Sequence, residues 1–336
     1  MPMHNSPSAL SFEELVERLL PQADTLILFH RNPDPDAVGS AFALKMILGQ
    51  LGSRAFCVCE SELSDALLRW SDHTQKSVLP SAIPSELDVT RIIAVDTASP
   101  SQMGELRATF EGQVDLMIDH HETGEPYADY YVRPDAAATG EIIFGLAKQL
   151  VADGLIGMTE EICTSLYAAI SADTGGFRYS NVTPDTHVRA AELMSYGIDC
   201  AEINHLLFNS LSLGQLRARS AGISNLHLYA DGKVAVIPLP YAIKAALELE
   251  DEHMNDLVDV ARSLEGVRVA ISIRQPRTEG VFRVSCRASG KYDVAALCAL
   301  FGGGGHTKSA GCTIEADSMD EAIKKIVDEI LIDDLV

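Results

Sequence analysis

The sequence predicts an α/β protein, a doubly wound parallel sheet joined to a smaller α+β module. Three observations predict it. Short apolar runs alternate with helical patterns through the first half, the signature of repeated βα units. The second half abandons that alternation for a hairpin and paired strands. The chain has 336 residues, 47% hydrophobic and 22% charged, which exceeds one ordinary domain and has a globular composition.

Taken in order, TLILF (25–29) is a buried strand, and a helical pattern runs from Asp36 to Leu48. AFCVCE (55–60) reads as a second strand whose Cys57 and Cys59 share one buried face. RIIAVD (91–96) and LMID (116–119) are further buried strands, and helical patterns follow at 139–151 and 160–172. Thr183-Pro184 caps another helix that reaches Ser195. Residues 1–195 therefore form the first domain. Residues 196–225, helical but broken by Gly197, Gly214 and Gly222, read as a connector. Residues 226–336 form the second domain. It opens with a hairpin around Asp231-Gly232, a helix at about 241–264, and strands RVAISIRQ (268–275) and VFRVSCRA (281–288). A helix near 293–301, a run of four glycines, a strand near 310–315 and a helix from Ser318 to Ile330 complete it.

Acidic residues outnumber basic ones 48 to 26, a net charge of −22. That excludes a broad basic face for a long nucleic-acid duplex. An anionic substrate needs something local to overcome the repulsion, and bound metal supplies it. No apolar run reaches the roughly 18 residues that span a bilayer. The first residues, with Glu13, Glu14 and Glu17 and no basic n-region, do not resemble a secretory leader. The expected protein is soluble and cytoplasmic, without a membrane partner. Seven cysteines with no CxxC pair read as reduced, structural thiols.

Three strands of the first domain end in metal-type ligands. TLILF runs into His30, Asp34 and Asp36, RIIAV ends at Asp96, and LMI ends at Asp119, His120 and His121. Asp173, in SADTGGF, follows a helix. The carboxyl ends of parallel strands line one edge, so these residues converge there if the sheet forms. Pro33 and Pro35 stiffen the first loop, and Gly39 and Ser40 give the next helix a small face. Alone, Asp36 would be a helix cap and Asp96 a turn residue. Together, four carboxylates and two imidazoles repel one another unless cations are present. Oxygen and imidazole donors without thiolate suit Mn2+ or Mg2+ better than a structural zinc. Two such ions suit phosphate-ester hydrolysis.

The second domain holds FGGGGHTKS, whose glycines are too many for a helix cap alone. Phosphate or sugar approaching bare backbone at Gly303, Gly304 and Gly305 would explain them. A P-loop does not, because Thr307 stands where its second glycine should be.

HRNPDPDAVGS, AVD, IDHH and ADTGGF resemble, in order, the motifs of the DHH phosphoesterase superfamily. RVSCRAS and FGGGGHTKSAG resemble the DHH-associated domain paired with it in nanoRNase/pAp phosphatases, and the resemblance covers about 25–315. It implies a catalytic first domain and a substrate-binding second one. His30, Asp34 and Asp96 would hold one ion, and Asp36, Asp96, His120 and Asp173 the other. Asp96 would bridge them. Asp36, Asp96 and His121 would carry the chemistry, His121 facing the phosphate, while Asp119 orients the histidines. Arg283, Ser285, Arg287, His306 and the glycines would grip substrate phosphate and base, with Arg178 joining from the first domain. The cofactors would be two divalent cations, Mn2+ foremost, with Mg2+ or Co2+ as alternatives.

The implied activity is hydrolysis of short oligoribonucleotides and 3'-phosphoadenosine 5'-phosphate (pAp) between the two domains. A cyclic-dinucleotide or linear pApA phosphodiesterase is the alternative within the superfamily. A processive exonuclease would need further domains, and a manganese pyrophosphatase a different second domain. A non-catalytic nucleotide-binding protein would be expected to have lost ligands that this chain keeps. The sequence leaves open the preferred nucleotide, the chain-end polarity and the oligomeric state, a homodimer included.

Overall fold

The computed structural model describes residues 6–330, and the chain divides after Ser210 into two compact units. In the first unit α1 (Phe12–Leu19) precedes β1 (Asp24–Leu28), α2 (Pro35–Gln50), β2 (Arg54–Val58) and α3 (Asp65–Leu68). Then come β3 (Arg91–Val95), α4 (Arg107–Phe110), β4 (Leu116–Asp119) and β5 (Asp129–Val132). The unit closes with α5 (Thr139–Ala152), α6 (Glu160–Asp173), α7 (Pro184–Met194) and α8 (Cys200–Phe208). The five strands pair in parallel in the order β2-β1-β3-β4-β5.

Strand alternation gives this sheet two apolar faces. Ile27, Phe29, Ile93, Val95 and Ile118 pack under α1, α2, α5 and α6, with Phe42, Leu44, Ile143 and Leu166. Leu26, Leu28, Ile92 and Ala94 face Met103, Leu106 and Phe110. Full-length helices thus cover only one face. On the other, a 3-10 run at Pro100–Leu106 and the single turn of α4 serve, because Gly104 at φ 62° interrupts a regular helix. α2 leaves β1 on one face while the segment after β3 crosses the other. The sheet order therefore reverses between β1 and β3, the position at which such folds open a crevice.

Among the elements that the sequence does not anticipate are α1 and β5. α1 is closed by a capping box, Ser11 with Glu14, and buries Leu15, Val16 and Leu19. DYYV forms the edge strand β5, paired Ile118 to Tyr131.

The second unit contains α9 (Leu213–Ser224), β6 (His227–Tyr229), β7 (Val234–Leu239), α10 (Tyr241–Ala246), α11 (Leu257–Arg262) and β8 (Val269–Arg274). β9 (Val281–Ala288), α12 (Val294–Ala299), β10 (Gly304–His306), β11 (Ser309–Glu315) and α13 (Met319–Asp328) follow. Its sheet runs β10-β11-β9-β8-β7-β6, antiparallel except between β7 and β8. The hairpin turns through Ala230, Asp231 and Gly232, all at positive φ. The single helix anticipated at 241–264 is instead α10, a 3-10 turn at Asp251–Met254 and α11. Glu248 adopts φ 54°, and the break turns Leu249, Met254 and Leu257 into one core with Ile237 and Leu239.

The division after Ser210 falls inside the stretch anticipated as a connector. Ile203 of α8 joins the first core, and Ala218 of α9 joins the core beneath β7 and β8. All seven cysteines are free thiols and six are buried. Among the described residues no helix is long and apolar enough to cross a membrane.

Gly39 lets α2 and α6 touch. A Cβ there would lie 2.4 Å from the carbonyl oxygen of Ser165 and 3.2 Å from the Ala169 side chain. Gly39→Ala should therefore push the two helices apart and cost about 1–3 kcal/mol. Guanidinium unfolding checks this, and an unchanged midpoint would show that the contact has slack.

Candidate metal centre

The chain leaves β1 into His30, whose ring is mostly buried. Asp34 is the N-cap of α2, its Oδ1 accepting from the backbone N–H groups of Asp36 and Ala37 at 3.0 Å each. Capping thus falls to Asp34 and leaves its second oxygen free. Asp36, in the first turn of α2, is fully buried. Its Oδ1 accepts from Ser40 Oγ and the Gly140 amide, both at 2.9 Å, and its Oδ2 from the Thr139 amide at 2.8 Å. These amides are the N-terminus of α5, which has no side-chain cap of its own. A carboxylate 103 residues away satisfies them, and the helix dipole favours its charge.

Asp96 follows β3 in a left-handed conformation, φ 53°, which is uncommon for a side-chain-bearing residue. Thr139 Oγ1 donates to its Oδ1 at 2.9 Å. One oxygen lies 3.6 Å from His30 Nε2 and the other 3.8 Å from His120 Nε2. Asp96 therefore faces two groups at once. One contains His30 and Asp34, and the other Asp36, His120 and Asp173. Within the second, His120 Nε2 stands 3.8 Å from Asp36 Oδ2 and 3.2 Å from Asp173 Oδ2. Asp173 closes α6.

The histidines are held from behind. His120 Nδ1 lies 3.3 Å from the carbonyl oxygen of Ala136, so Nδ1 keeps the proton and Nε2 is offered to the cluster. Asp119 is buried, and its Oδ1 accepts from the His120 amide at 2.6 Å, the His121 amide at 3.0 Å and His121 Nδ1 at 2.6 Å. This commits His121 through Nδ1.

Electrostatics show surplus negative charge. Burial alone would lower the pKa of His30 and His120. Asp34 and Asp96 around the first, and Asp173, Asp36 and Asp96 around the second, outweigh it and raise both to about 10. Burial, then the Asp96 and Asp173 charges, push Asp36 well above the usual carboxylate range. Among the described residues, neither lysine nor arginine forms an ion pair with Asp34, Asp36, Asp96 or Asp173. Hard oxygen and imidazole donors with unbalanced charge fit divalent cations.

The other anticipated site residues belong to neither of these ligand groups. Arg178 is exposed, its Nε donating to the Gly175 carbonyl and its guanidinium 5.4 Å from the Phe208 ring centre. Arg283, Ser285 and Arg287 alternate along β9 and so share one face, opposite Arg274, Ser272 and Ala270 of β8. The side chain of His306 lies outside the described residues. Backbone packing explains much of the glycine run. A Cβ at Gly303 would come 2.2 Å from the Gly311 oxygen, and one at Gly305 2.6 Å from the Ala310 Cα. Gly304 has open space instead.

The sequence reading missed Thr139, Gly140 and Asn181. Asn181 Nδ2 donates to the carbonyls of Ala137 at 2.9 Å and Asp173 at 3.1 Å, tying the turn before α5 to the end of α6. An uncapped helix start at Ala138-Thr139-Gly140 was the available signal, since its amides need an acceptor from elsewhere. Thr139→Val keeps the backbone donors but removes the bond to Asp96. Mn2+ affinity, titrated by calorimetry, should fall about 10- to 100-fold with the fold intact. Unaltered affinity would deny Thr139 this role.

Residues 24–170 match the model of the N-terminal domain of the DHH family, and residues 233–331 match the DHHA1 domain. The first range holds His30, Asp34, Asp36, Asp96, His120 and His121, with Asp173 just beyond. A Thermus thermophilus protein named bifunctional oligoribonuclease and PAP phosphatase NrnA is 31% identical over 90% of this chain and 88% of its own length. The Listeria monocytogenes cyclic-di-AMP phosphodiesterase PdeA is 24% identical over 94% of this chain, which spans 49% of that relative. The crystal structure of an exopolyphosphatase-related protein from Bacteroides fragilis superposes with a TM-score of 0.85, 24% identity and coverage of 95% of this chain and 94% of its own. That likeness shows the shared fold. By the family match and the near full-length relative, the chain belongs to the DHH family of metal-dependent phosphoesterases.

Proposed function

We propose that the chain hydrolyses short oligoribonucleotides and pAp with two divalent cations, Mn2+ foremost. One observation carries this reading: Asp96 stands between two ligand groups, 3.6 Å from His30 Nε2 and 3.8 Å from His120 Nε2. A shared carboxylate suits two cations held close together. His30, Asp34 and Asp96 would hold one, and Asp36, Asp96, His120 and Asp173 the other. Bound there, the pair supplies Lewis-acid polarisation of the phosphoryl oxygens and an activated water.

The chain's own residues do the rest. Asp36 is fixed by Ser40 and two amides of α5, so it adds charge without moving. His121 has its Nδ1 committed to Asp119, whose carboxylate raises its pKa and favours the protonated ring. Its Nε2–H then donates to a phosphoryl oxygen and neutralises developing charge. Arg283, Ser285, Arg287 and the backbone at Gly304 take the nucleotide beyond the scissile phosphate, with Arg178 and His306 as further contacts.

The Thermus thermophilus relative's name supports oligoribonucleotides and pAp as substrates, since this chain covers 88% of it. The second reading, a cyclic or linear dinucleotide phosphodiesterase, is favoured by the Listeria relative, of which this chain spans about half.

Two outcomes are expected. Chelation should abolish hydrolysis and Mn2+ restore it, while Asp96→Asn should lower kcat by several orders of magnitude, because both ligand groups lose a shared charge. Near-normal turnover in that variant would refute the site. Across a panel of pAp, RNAs of two to twenty nucleotides and cyclic di-AMP, rates per molecule should fall beyond about five nucleotides. With −22 net charge, only a few phosphates find cationic partners. A preference for the longest strand would overturn the short-substrate reading.

A further inference from the structure

The pairing of β8 with β9 sets Arg274 directly opposite Arg283. Like charges directly opposed on an antiparallel pair destabilise it, so this register asks for an anion. Arg274 is only partly satisfied. Its Nη1 donates to the Asp251 carbonyl at 3.4 Å and to Asn255 Oδ1 at 3.1 Å, while its buried Nε has no partner among the described residues.

The internal anion at hand is Asp251. Its carboxylate is shared between Lys244 Nζ and Arg283 Nη1, the latter at 3.4 Å. Arg274 reaches only the backbone carbonyl of Asp251, so among the described residues it forms no ion pair with a carboxylate of its own. The Asp251–Arg283 contact is more than half exposed on both sides, so it exchanges at little cost. Beside it lies a cavity of about 430 Å3, lined by Arg274, Arg283, Ser285, Phe301, Gly303 and Thr313 among others. Guanidinium groups, an aromatic ring and exposed backbone suit a phosphate attached to a nucleoside.

We propose that Arg274 and Arg283 clamp a terminal phosphate monoester of the substrate, distinct from the phosphate that is cleaved, and that Asp251 occupies the clamp as an internal counter-ion until that phosphate displaces it. Arg274 thereby selects substrates carrying the extra phosphate, and Asp251 sets how strongly. The proposal rests on the nucleotide-hydrolase reading above and adds to it a phosphate specificity set by two residues, one of which opposes binding.

The test compares pApA with ApA, identical but for the 5'-phosphate, on the full-length Mn2+-loaded protein. Affinity is read by calorimetry and kcat/KM by product release. The wild type should prefer pApA. Arg274→Ala should lower the pApA-to-ApA affinity ratio by about 10- to 150-fold, the value of a charge-assisted hydrogen bond. Arg274→Lys should fall between, because it keeps the charge but loses the fork. Asp251→Asn should raise the ratio about 2- to 5-fold, the gain from removing an exposed competing carboxylate. A purely structural Arg274–Asp251 contact predicts no gain in any variant. Equal losses on both dinucleotides in Arg274→Ala, or an unchanged or lower ratio in Asp251→Asn, would overturn the clamp. Affinity decides the clamp whether or not either dinucleotide is turned over. Failure of the wild type to cleave both would count against the hydrolase reading alone.

Discussion

Four carboxylates gathered at one sheet edge repel one another, and the first unit is organised around containing that repulsion. Asp34, Asp36, Asp96 and Asp173 arrive from the N-cap of α2, the first turn of α2, the end of β3 and the last residue of α6. None of them meets lysine or arginine in an ion pair among the described residues. Instead, amides and hydroxyls meet three of them, and His120 meets Asp173. α5 aims its N-terminus at Asp36, Thr139 holds Asp96, and the cap of α2 holds Asp34. Such dipoles steady carboxylates without cancelling their charge, so the attraction for cations is kept.

Fold and site depend on the same contacts. The close approach of α2 and α6 at Gly39 brings the helix that carries Asp36 beside the helix that ends in Asp173. The turn before α5 accepts from His120 at Ala136 and from Asn181 at Ala137. A shift of α5 would thus disturb Asp36, Asp96 and His120 together. The strained backbone at Asp96 is sustained by this surrounding network, as strained residues at functional sites generally are.

The sequence shows the clustered carboxylates and histidines plainly because they follow a buried strand, open a helix or close one, and hydrophobic runs mark those elements locally. RIIAV and LMI appear as strands at or within one residue of the anticipated bounds. What it hides is held by contacts distant in the chain. DYYV becomes a strand only because β4 lies beside it, and the amides of Thr139 and Gly140 find their acceptor 103 and 104 residues away. The 241–264 segment has helical periodicity throughout, yet burying Leu249 and Met254 against β7 breaks it at Glu248. In the glycine run, composition suggested ligand contact, while the tight apposition of Gly303 and Gly305 to β11 supplies a packing reason instead.

The central claim is that Asp96 is shared by two cations. Electron paramagnetic resonance during a Mn2+ titration of the full-length protein tests it most directly. The account predicts two ions bound per chain, with the second equivalent converting an isolated Mn2+ spectrum into an exchange-coupled one, as a shared carboxylate ligand requires. Saturation at one ion, or two ions whose spectra remain uncoupled, would contradict it.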